Sequence, residues 1–394
     1  MSKPLRILHY TAGYAPAWSL GGPPRSTSNL CEGLASRGHT VFVFTTKLGL
    51  ADRTDLPDGA PVSRNGVTVH YFPLSRGPGI RSVSMESAAR ARIQEFDLVH
   101  VTGVWQPTSI AACRVARSAG IRYVISPRGA LSHYSFSQKF LKKAVYWWLF
   151  ERTNLNGAAV IHYTAKAERT ECARLGLRPP NVIVPNSVDL ASWRPDPEGA
   201  LRWRRRHGLG DDEFVFLNSG RLHHKKGLEL LMHAAAALPR DVRWRLVFAG
   251  PDEDGTGQFL ANAARDSGLV DRLHFTGSLD TKELAAVYSA AGLFLFPSRN
   301  ENFGNVAIEA LACGTRLAVS PGVGCSDEVK SLEGVAVLER AVGPWTNEMN
   351  RALIQPPLVR ESVDRRRRLL EARYQVDAVA AAMEVAYRNI LAKT

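Results

Sequence analysis

Cysteine is scarce: Cys31, Cys113, Cys172, Cys313 and Cys325 are the only five in 394 residues. They are odd in number and scattered, and none stands at metal-ligand spacing. That argues against a disulfide framework and against a zinc site. Reduced, buried thiols in a cytoplasmic protein are the expectation. No apolar run is long enough to cross a bilayer, and no secretory signal is visible. The G-x-G-x-x-G fingerprint of dinucleotide-binding strands is missing, which counts against a nicotinamide enzyme. Helix-turn-helix, zinc-finger and aromatic RNA-binding signatures are missing too. There is no internal repeat and no low-complexity tract. Acidic residues are in deficit: 37 Asp and Glu stand against 50 Lys and Arg, a net charge of +13. Such a balance favours anionic partners, whether nucleic acid, phospholipid or phosphorylated small molecules.

What is present points to phosphate and sugar chemistry. The most informative stretch is Ser298-Arg-Asn-Glu-Asn-Phe-Gly-Asn-Val-Ala-Ile-Glu-Ala-Leu-Ala-Cys-Gly314. Leu293–Phe296 before it reads as a buried parallel strand. Residues 305–312 read as a buried helix, with Gly314 at the C-cap, and residues 315–320 read as the next strand. This strand–loop–helix–strand unit presents ligands at strand C-termini in doubly wound sheets. It sets Glu301 on the loop and Glu309 on the helix, with the free amides of the helix start between them. Those amides attract anions, and the carboxylates accept hydrogen bonds from hydroxyls. A ligand with a central diphosphate and hydroxylated rings at both ends suits the pattern, and a nucleotide-sugar is such a ligand.

This segment resembles the donor-binding motif of retaining glycosyltransferases of the GT-B fold, glycosyltransferase family 4. A second segment agrees. The strand Phe214–Asn218 runs into Ser219-Gly-Arg-Leu-His-His-Lys-Lys-Gly227 and a helical run over 228–238. The resemblance makes Arg221 and Lys226 the residues that bind the donor diphosphate. Elementary electrostatics agrees, because two cations on a glycine-bounded loop can stabilise a diphosphate leaving group. A third unit opens the chain: a strand over 5–10, a loop holding Gly21 and Gly22, a helix over 25–37 and a strand over 40–45. Those glycines would let the backbone approach a phosphate or sugar closely.

The resemblance covers most of the chain and implies an α/β GT-B architecture of two Rossmann-like doubly wound domains facing a central cleft. Residues 1–190 would form the acceptor-binding domain and residues 191–374 the donor-binding domain. The terminal helix, 375–394, would cross back to the N-terminal domain. It also implies transfer from a nucleotide-sugar, with retention, to a glycan or a lipid-pyrophosphate-linked acceptor, in polysaccharide assembly. Arg221, Lys226 and Glu301 would be catalytic. Gly21, Gly22, Asn302, Phe303, Gly304, Asn305 and Glu309 would bind the donor, with Glu309 on the ribose hydroxyls. No cofactor and no metal is expected. Asp252-Glu-Asp254 fits a metal-binding Asp-x-Asp pattern, but it sits on a strand-end loop, and the two cations can supply the charge.

The acceptor side is less legible. Arg128 follows a strand where many relatives carry His, and it is a candidate for an acceptor phosphate, with His133 and His100 nearby in sequence. Two arginine-rich runs, 202–207 and 365–368, could attract anions. A third stretch, Lys139–Arg152, mixes lysines with large aromatics. It reads either as a helix lying on an anionic membrane or as one whose aromatics pack inward. Alternatives within the fold are a nucleotide-sugar epimerase or a sugar phosphorylase. A basic nucleic-acid-binding protein is the alternative outside it, though nucleic acid is not the expected partner.

Overall fold

The computed structural model describes residues 3–392. The chain divides into two compact units: residues through Val188 together with those from Tyr374 onward, and Asp189–Arg373.

Unit 1 is built on one sheet of β1 (Arg6–Thr11), β2 (Thr40–Thr46), β3 (Pro61–Arg64), β4 (Val67–Phe72), β5 (Leu98–Thr102), β6 (Tyr123–Ser126), β7 (Val160–Tyr163) and β8 (Asn181–Ile183). Their spatial order is β3-β4-β2-β1-β5-β6-β7-β8. All pairings are parallel except β3–β4. Strand alternation sends Ile7, Val41, Val43 and Leu98 into one core and Leu8, Phe44, Val99 and Ile125 into the other. Both faces are therefore buried, as parallel sheets require. The antiparallel β3–β4 hairpin was not anticipated. Asn65-Gly66 makes its turn with both residues at positive φ, the signature of a two-residue hairpin loop.

The terminal helix, Val376–Leu391, packs within unit 1 against the Gly22–Ser36 helix and buries Val379, Met383, Tyr387 and Ile390. Gly33 permits this approach, since a Cβ there would lie 2.8 Å from Val376 Cγ1 and 2.9 Å from the Ala380 Cβ. The Gly22–Ser36 helix begins three residues earlier than the sequence suggested. Pro23 and Pro24 lie in its first turn, which suits proline because no intrahelical N–H bond is needed there.

Unit 2 holds β9 (Phe214–Ser219), β10 (Trp244–Ala249), β11 (Leu273–Gly277), β12 (Leu293–Phe296), β13 (Arg316–Val319) and β14 (Val335–Val337), all parallel. Their order is β11-β10-β9-β12-β13-β14. This is the doubly wound dinucleotide-fold order, with the chain reversing direction across the sheet between β9 and β12. Ligands of such sheets bind outside the strand C-termini at that reversal.

The arginine runs are part of this framework. Arg204 bonds the carbonyls of Ala290, Gly210 and Glu213. Arg366 is buried and donates to the carbonyls of Glu333 (3.1 Å) and Leu311 (2.9 Å). Arg367 reaches Trp193 O at 2.6 Å and Ala312 O at 3.3 Å. Leu311 and Ala312 end the Asn305–Ala312 helix. Arg366 and Arg367 therefore satisfy carbonyls that the helix end leaves open. Arg204, Arg366 and Arg367 are therefore framework and not anion-attracting surface, whereas Arg202, Arg205, Arg206, Arg365 and Arg368 of the same runs stay exposed.

Candidate functional site

At the β9/β12 reversal, three loops lie side by side. The loop after β9 carries Arg221 and Lys226. The loop after β12 carries Glu301 to Gly304. The loop after β13 is Pro321-Gly-Val-Gly324. Main-chain bonds stitch them together. Arg299 N–H donates to Lys225 O at 2.9 Å, Glu301 N–H to Gly322 O at 2.9 Å, Gly324 N–H to Glu301 O at 2.9 Å, and Cys325 N–H to Phe303 O at 2.9 Å. The backbones are too close for side chains. A Cβ on Gly324 would stand 1.9 Å from Asn302 O, and one on Gly322 2.5 Å from Arg299 O. Gly322 and Gly324 are thus part of the site's frame, and sequence reading passed over them. Their signal was a Pro-Gly-x-Gly run after a strand, which points to close backbone approach.

Lys226 Nζ meets Glu301 Oε2 at 2.5 Å, and the ammonium also lies 5.2 Å from the Phe296 ring centre. Both charged side chains remain partly exposed, so a ligand can reach them. Arg221 pairs with Glu253 Oε1 at 2.5 Å across the loops after β9 and β10. Those loops approach so closely at Gly220 and Gly250 that a Cβ on Gly250 would sit 2.0 Å from Gly220 O. Each of the two cations is thus held by a carboxylate on a neighbouring loop.

Gly304 starts the Asn305–Ala312 helix from a left-handed conformation, φ 96°. A Cβ there would lie 2.6 Å from Val323 Cγ1, so glycine is required on both counts. The helix directs its first amides toward the three-loop cluster. Phe303 is buried and anchors the turn as a core side chain, while Asn302 and Asn305 stay partly exposed beside it. Glu309 lies deeper, nearly buried, with Tyr288 Oη donating to its Oε2 at 3.5 Å. Tyr288 Oη also lies 2.6 Å from Ser219 Oγ, at the end of β9. Burial, and secondarily the Glu309 charge, push the Tyr288 phenol well above its ordinary pKa, so it stays protonated. Tyr288 and Ser219 orient Glu309, and no local motif in the sequence announced them.

Glu253 and Asp254 have partners that explain the acidic loop. Asp254 accepts from the His224 backbone N–H (3.2 Å), lies 2.8 Å from His224 Nδ1, and accepts from Thr256 Oγ1 at 2.5 Å. Bonds from Thr256 and His224 hold its carboxyl well below the usual range. Among the described residues, His223, His224 and Asp254 are the grouping whose ligand atoms lie close enough for a metal ion, within 4.8 Å of one another. His223 Nδ1 already accepts the Lys225 N–H at 3.1 Å.

In unit 1, Gly21 has φ 90° and precedes the first helical residue, Gly22. Arg128 follows β6 in a left-handed conformation, φ 55°, with Nη1 bonded to Asn186 and 3.5 Å from Ser26 Oγ. His133 is exposed on the short His133–Ser137 helix. His100 is not a surface group. It is fully buried, 2.6 Å from Tyr387 Oη and 2.8 Å from Ser126 Oγ, and Ser126 in turn meets His162 Nδ1 at 2.5 Å. Its role is to tie the terminal helix to the sheet, which corrects its candidacy on the acceptor side.

Residues 200–375 match the family Glycosyl transferases group 1, and residues 21–187 match the Glycosyl transferase 4-like domain. The D-inositol 3-phosphate glycosyltransferase of Gordonia bronchialis is 34% identical over 218 residues, 53% of this chain and 47% of that protein. The match thus spans about half the length of that curated relative. An uncharacterized glycosyltransferase of Methanocaldococcus jannaschii is 27% identical over 346 residues, 83% of each chain. Among solved structures, Anabaena HepE in complex with UDP and glucose aligns over 98% of this chain and 100% of its own, with a TM-score of 0.76 and 17% identity. The chain belongs to the group 1 glycosyltransferases of the GT-B fold.

Proposed function

We propose that this protein transfers a hexosyl group from a nucleoside-diphosphate sugar to a hydroxyl of a glycan or lipid-linked saccharide, with retention of configuration and without a metal ion. The carrying observation is the meeting of Lys226 and Glu301 at 2.5 Å at the sheet reversal, from loops far apart in sequence. A cation and a hydroxyl acceptor side by side are what the junction of diphosphate and sugar requires.

In this reading the donor diphosphate takes over Lys226 and Arg221 from Glu301 and Glu253. The freed Glu301 accepts from sugar hydroxyls, beside the first amides of the Asn305–Ala312 helix. Glu309, held by Tyr288, accepts from the ribose. The bond from the anomeric carbon to the diphosphate oxygen breaks, and the acceptor oxygen bonds that carbon on the same face. The acceptor proton passes to the departing diphosphate, so no dedicated protein base is needed. The two cations stabilise the negative charge that develops on the leaving group. HepE, a structural neighbour, is described with UDP and glucose, which supports a nucleotide-sugar donor. Arg128, at the C-terminal end of β6, supplies a cation for a phosphate on the acceptor. The five free, buried cysteines suit a reducing compartment such as the cytoplasm.

The test is a comparison of Lys226→Ala and Glu309→Gln on a competent donor–acceptor pair, with and without chelator. Lys226→Ala should chiefly lower turnover, and Glu309→Gln should chiefly weaken donor binding. Chelator should leave the wild type active. Wild-type turnover in Lys226→Ala contradicts the assignment, and loss in chelator that magnesium restores contradicts metal independence.

A further inference from the structure

The stretch 139–156 is a bent helical segment: an α-helix over Phe140–Tyr146, a π-turn over Trp147–Glu151 and a final α-turn over Arg152–Asn156. One side of it faces the protein. Trp147 packs edge-on against Phe136, with ring centres 5.7 Å apart, and lies 6.4 Å from Trp105. Glu151 is buried and accepts the Trp105 N–H at 2.6 Å. These contacts fix how the segment is rotated.

The opposite side has no such cover. Leu141 is 80% exposed, Trp148 66%, Leu149 63%, Phe140 59% and Val145 56%. Spacings of four and three to four residues put Leu141, Val145 and Trp148–Leu149 on one stripe of the helix. Large apolar side chains scattered singly on a surface need no explanation, but five within ten residues make a contiguous patch, which marks an interaction site.

The charge around the patch selects its partner. Lys139 and Lys142 are exposed on the same helical turns, and Arg152 lies 4.9 Å over the Trp148 ring. From Arg128 to Ala167, Glu151 is the one acidic residue, and its side chain is turned inward. Cations framing an apolar, aromatic stripe with no exposed carboxylate match an anionic bilayer. Tryptophan and leucine enter the acyl boundary there, and lysines remain at headgroup depth. The same segment walls a cavity of about 220 Å³ through Tyr146 and Phe150, where Arg114 is already paired with Glu86 at 3.0 Å, so the membrane contact rests on the outer stripe and not on this cavity.

We propose that residues 139–152 dock unit 1 onto an anionic membrane surface, with Leu141, Val145, Trp148 and Leu149 in the acyl boundary and Lys139, Lys142 and Arg152 on the headgroups. The sequence left the orientation of these aromatics open. The exposed stripe decides it for Phe140 and Trp148, which face outward, whereas Trp147 packs inward and Tyr146 and Phe150 line the cavity.

The test is flotation of the full chain with phosphatidylglycerol-containing vesicles and with neutral phosphatidylcholine vesicles, at low and high salt. The expected result is at least tenfold stronger partitioning to the anionic vesicles, reduced by salt, with a blue shift of tryptophan emission on binding. The combined variant Leu141→Ser, Trp148→Ser, Leu149→Ser should lose at least tenfold of that partitioning while keeping its circular dichroism spectrum and its nucleotide binding. Ile354→Ser, which changes an exposed apolar residue of unit 2, should bind as the wild type does. Equal partitioning to both vesicle types, or full binding by the triple variant, overturns the proposal. So does patch-dependent dimerisation in sedimentation without vesicle affinity, because the stripe would then pair two copies of this chain.

Discussion

The residues that matter most at this site are charged groups that already hold one another. Lys226 and Glu301 form a partly exposed pair, so the pair itself adds little to stability, in the range of about 0–1 kcal/mol. In the proposed function its value lies in placing a cation where a diphosphate would sit. Replacing Lys226 by alanine should cost about 2.7–4 kcal/mol in the transition state, a turnover loss on the order of 10²–10³-fold, with the melting temperature nearly unchanged. Steady-state kinetics and a melting curve on one preparation check both halves. Arg366 is the converse case. It is buried and serves two carbonyls, Glu333 O and Leu311 O. Arg366→Ala leaves both without that donor and opens a hole beside the helix end, which should cost about 2–4 kcal/mol in stability, read by denaturant unfolding. Both arginine runs looked alike in sequence to a solvated basic surface. Only packing distinguishes a guanidinium that bonds main-chain carbonyls from one that waits for an anion.

Among the elements, legibility followed local signals. The Leu293–Phe296 strand and the Asn305–Ala312 helix stand where their apolar pattern, Gly304 and Gly314 put them. The terminal helix, Val376–Leu391, was equally plain from its period. The β3–β4 hairpin was missed despite its Asn-Gly turn, because its strands are short and β3 is half exposed. The contribution of the loop after β13 was illegible for a different reason. Its glycines act through distances to Asn302 O and Arg299 O, which belong to another part of the chain. Gly324→Ala must push the Asn302 carbonyl aside, because 1.9 Å is far inside contact distance. The account predicts at least a tenfold loss of donor affinity and a modest loss of stability of about 1–3 kcal/mol. Isothermal titration and denaturant unfolding separate the two. Unchanged affinity would show that the loop after β13 does not shape the site.

At the scale of the whole molecule, unit 1 carries a buried histidine cluster that unit 2 does not share. His9 and His162 are pushed down to about 3, chiefly by burial and then by the nearby Arg128 charge, and burial holds His100 well below its ordinary value. An unfolded chain binds protons at His9 and His162 below about pH 6.5, whereas the folded chain binds them only near pH 3, and His100 shifts in the same direction. Stability therefore rises with pH through that window and falls as pH drops through it. Glu151 acts in the opposite direction. Burial pushes its carboxyl up to about 7, so its burial penalty is present above that pH and fades as the pH falls toward its unfolded value. Burial raises the Glu168 carboxyl as well, so three histidines stand against two carboxyls, and acid unfolding should begin in unit 1. In proton NMR the His9, His100 and His162 ring signals should not titrate between pH 8 and 5. Midpoints near 6.5 for all three would contradict the buried, neutral arrangement.

The central claim is that the β9/β12 reversal of unit 2 binds a nucleoside-diphosphate sugar through Lys226, Glu301 and Glu309. Calorimetric titration of the wild type, Lys226→Ala and Glu309→Gln with UDP-, GDP-, ADP- and dTDP-sugars tests it most directly. The account predicts saturable binding of one nucleotide class to the wild type, with at least a tenfold loss in Glu309→Gln and a smaller loss in Lys226→Ala. Binding of equal strength in all three proteins, or none to the wild type, would contradict it.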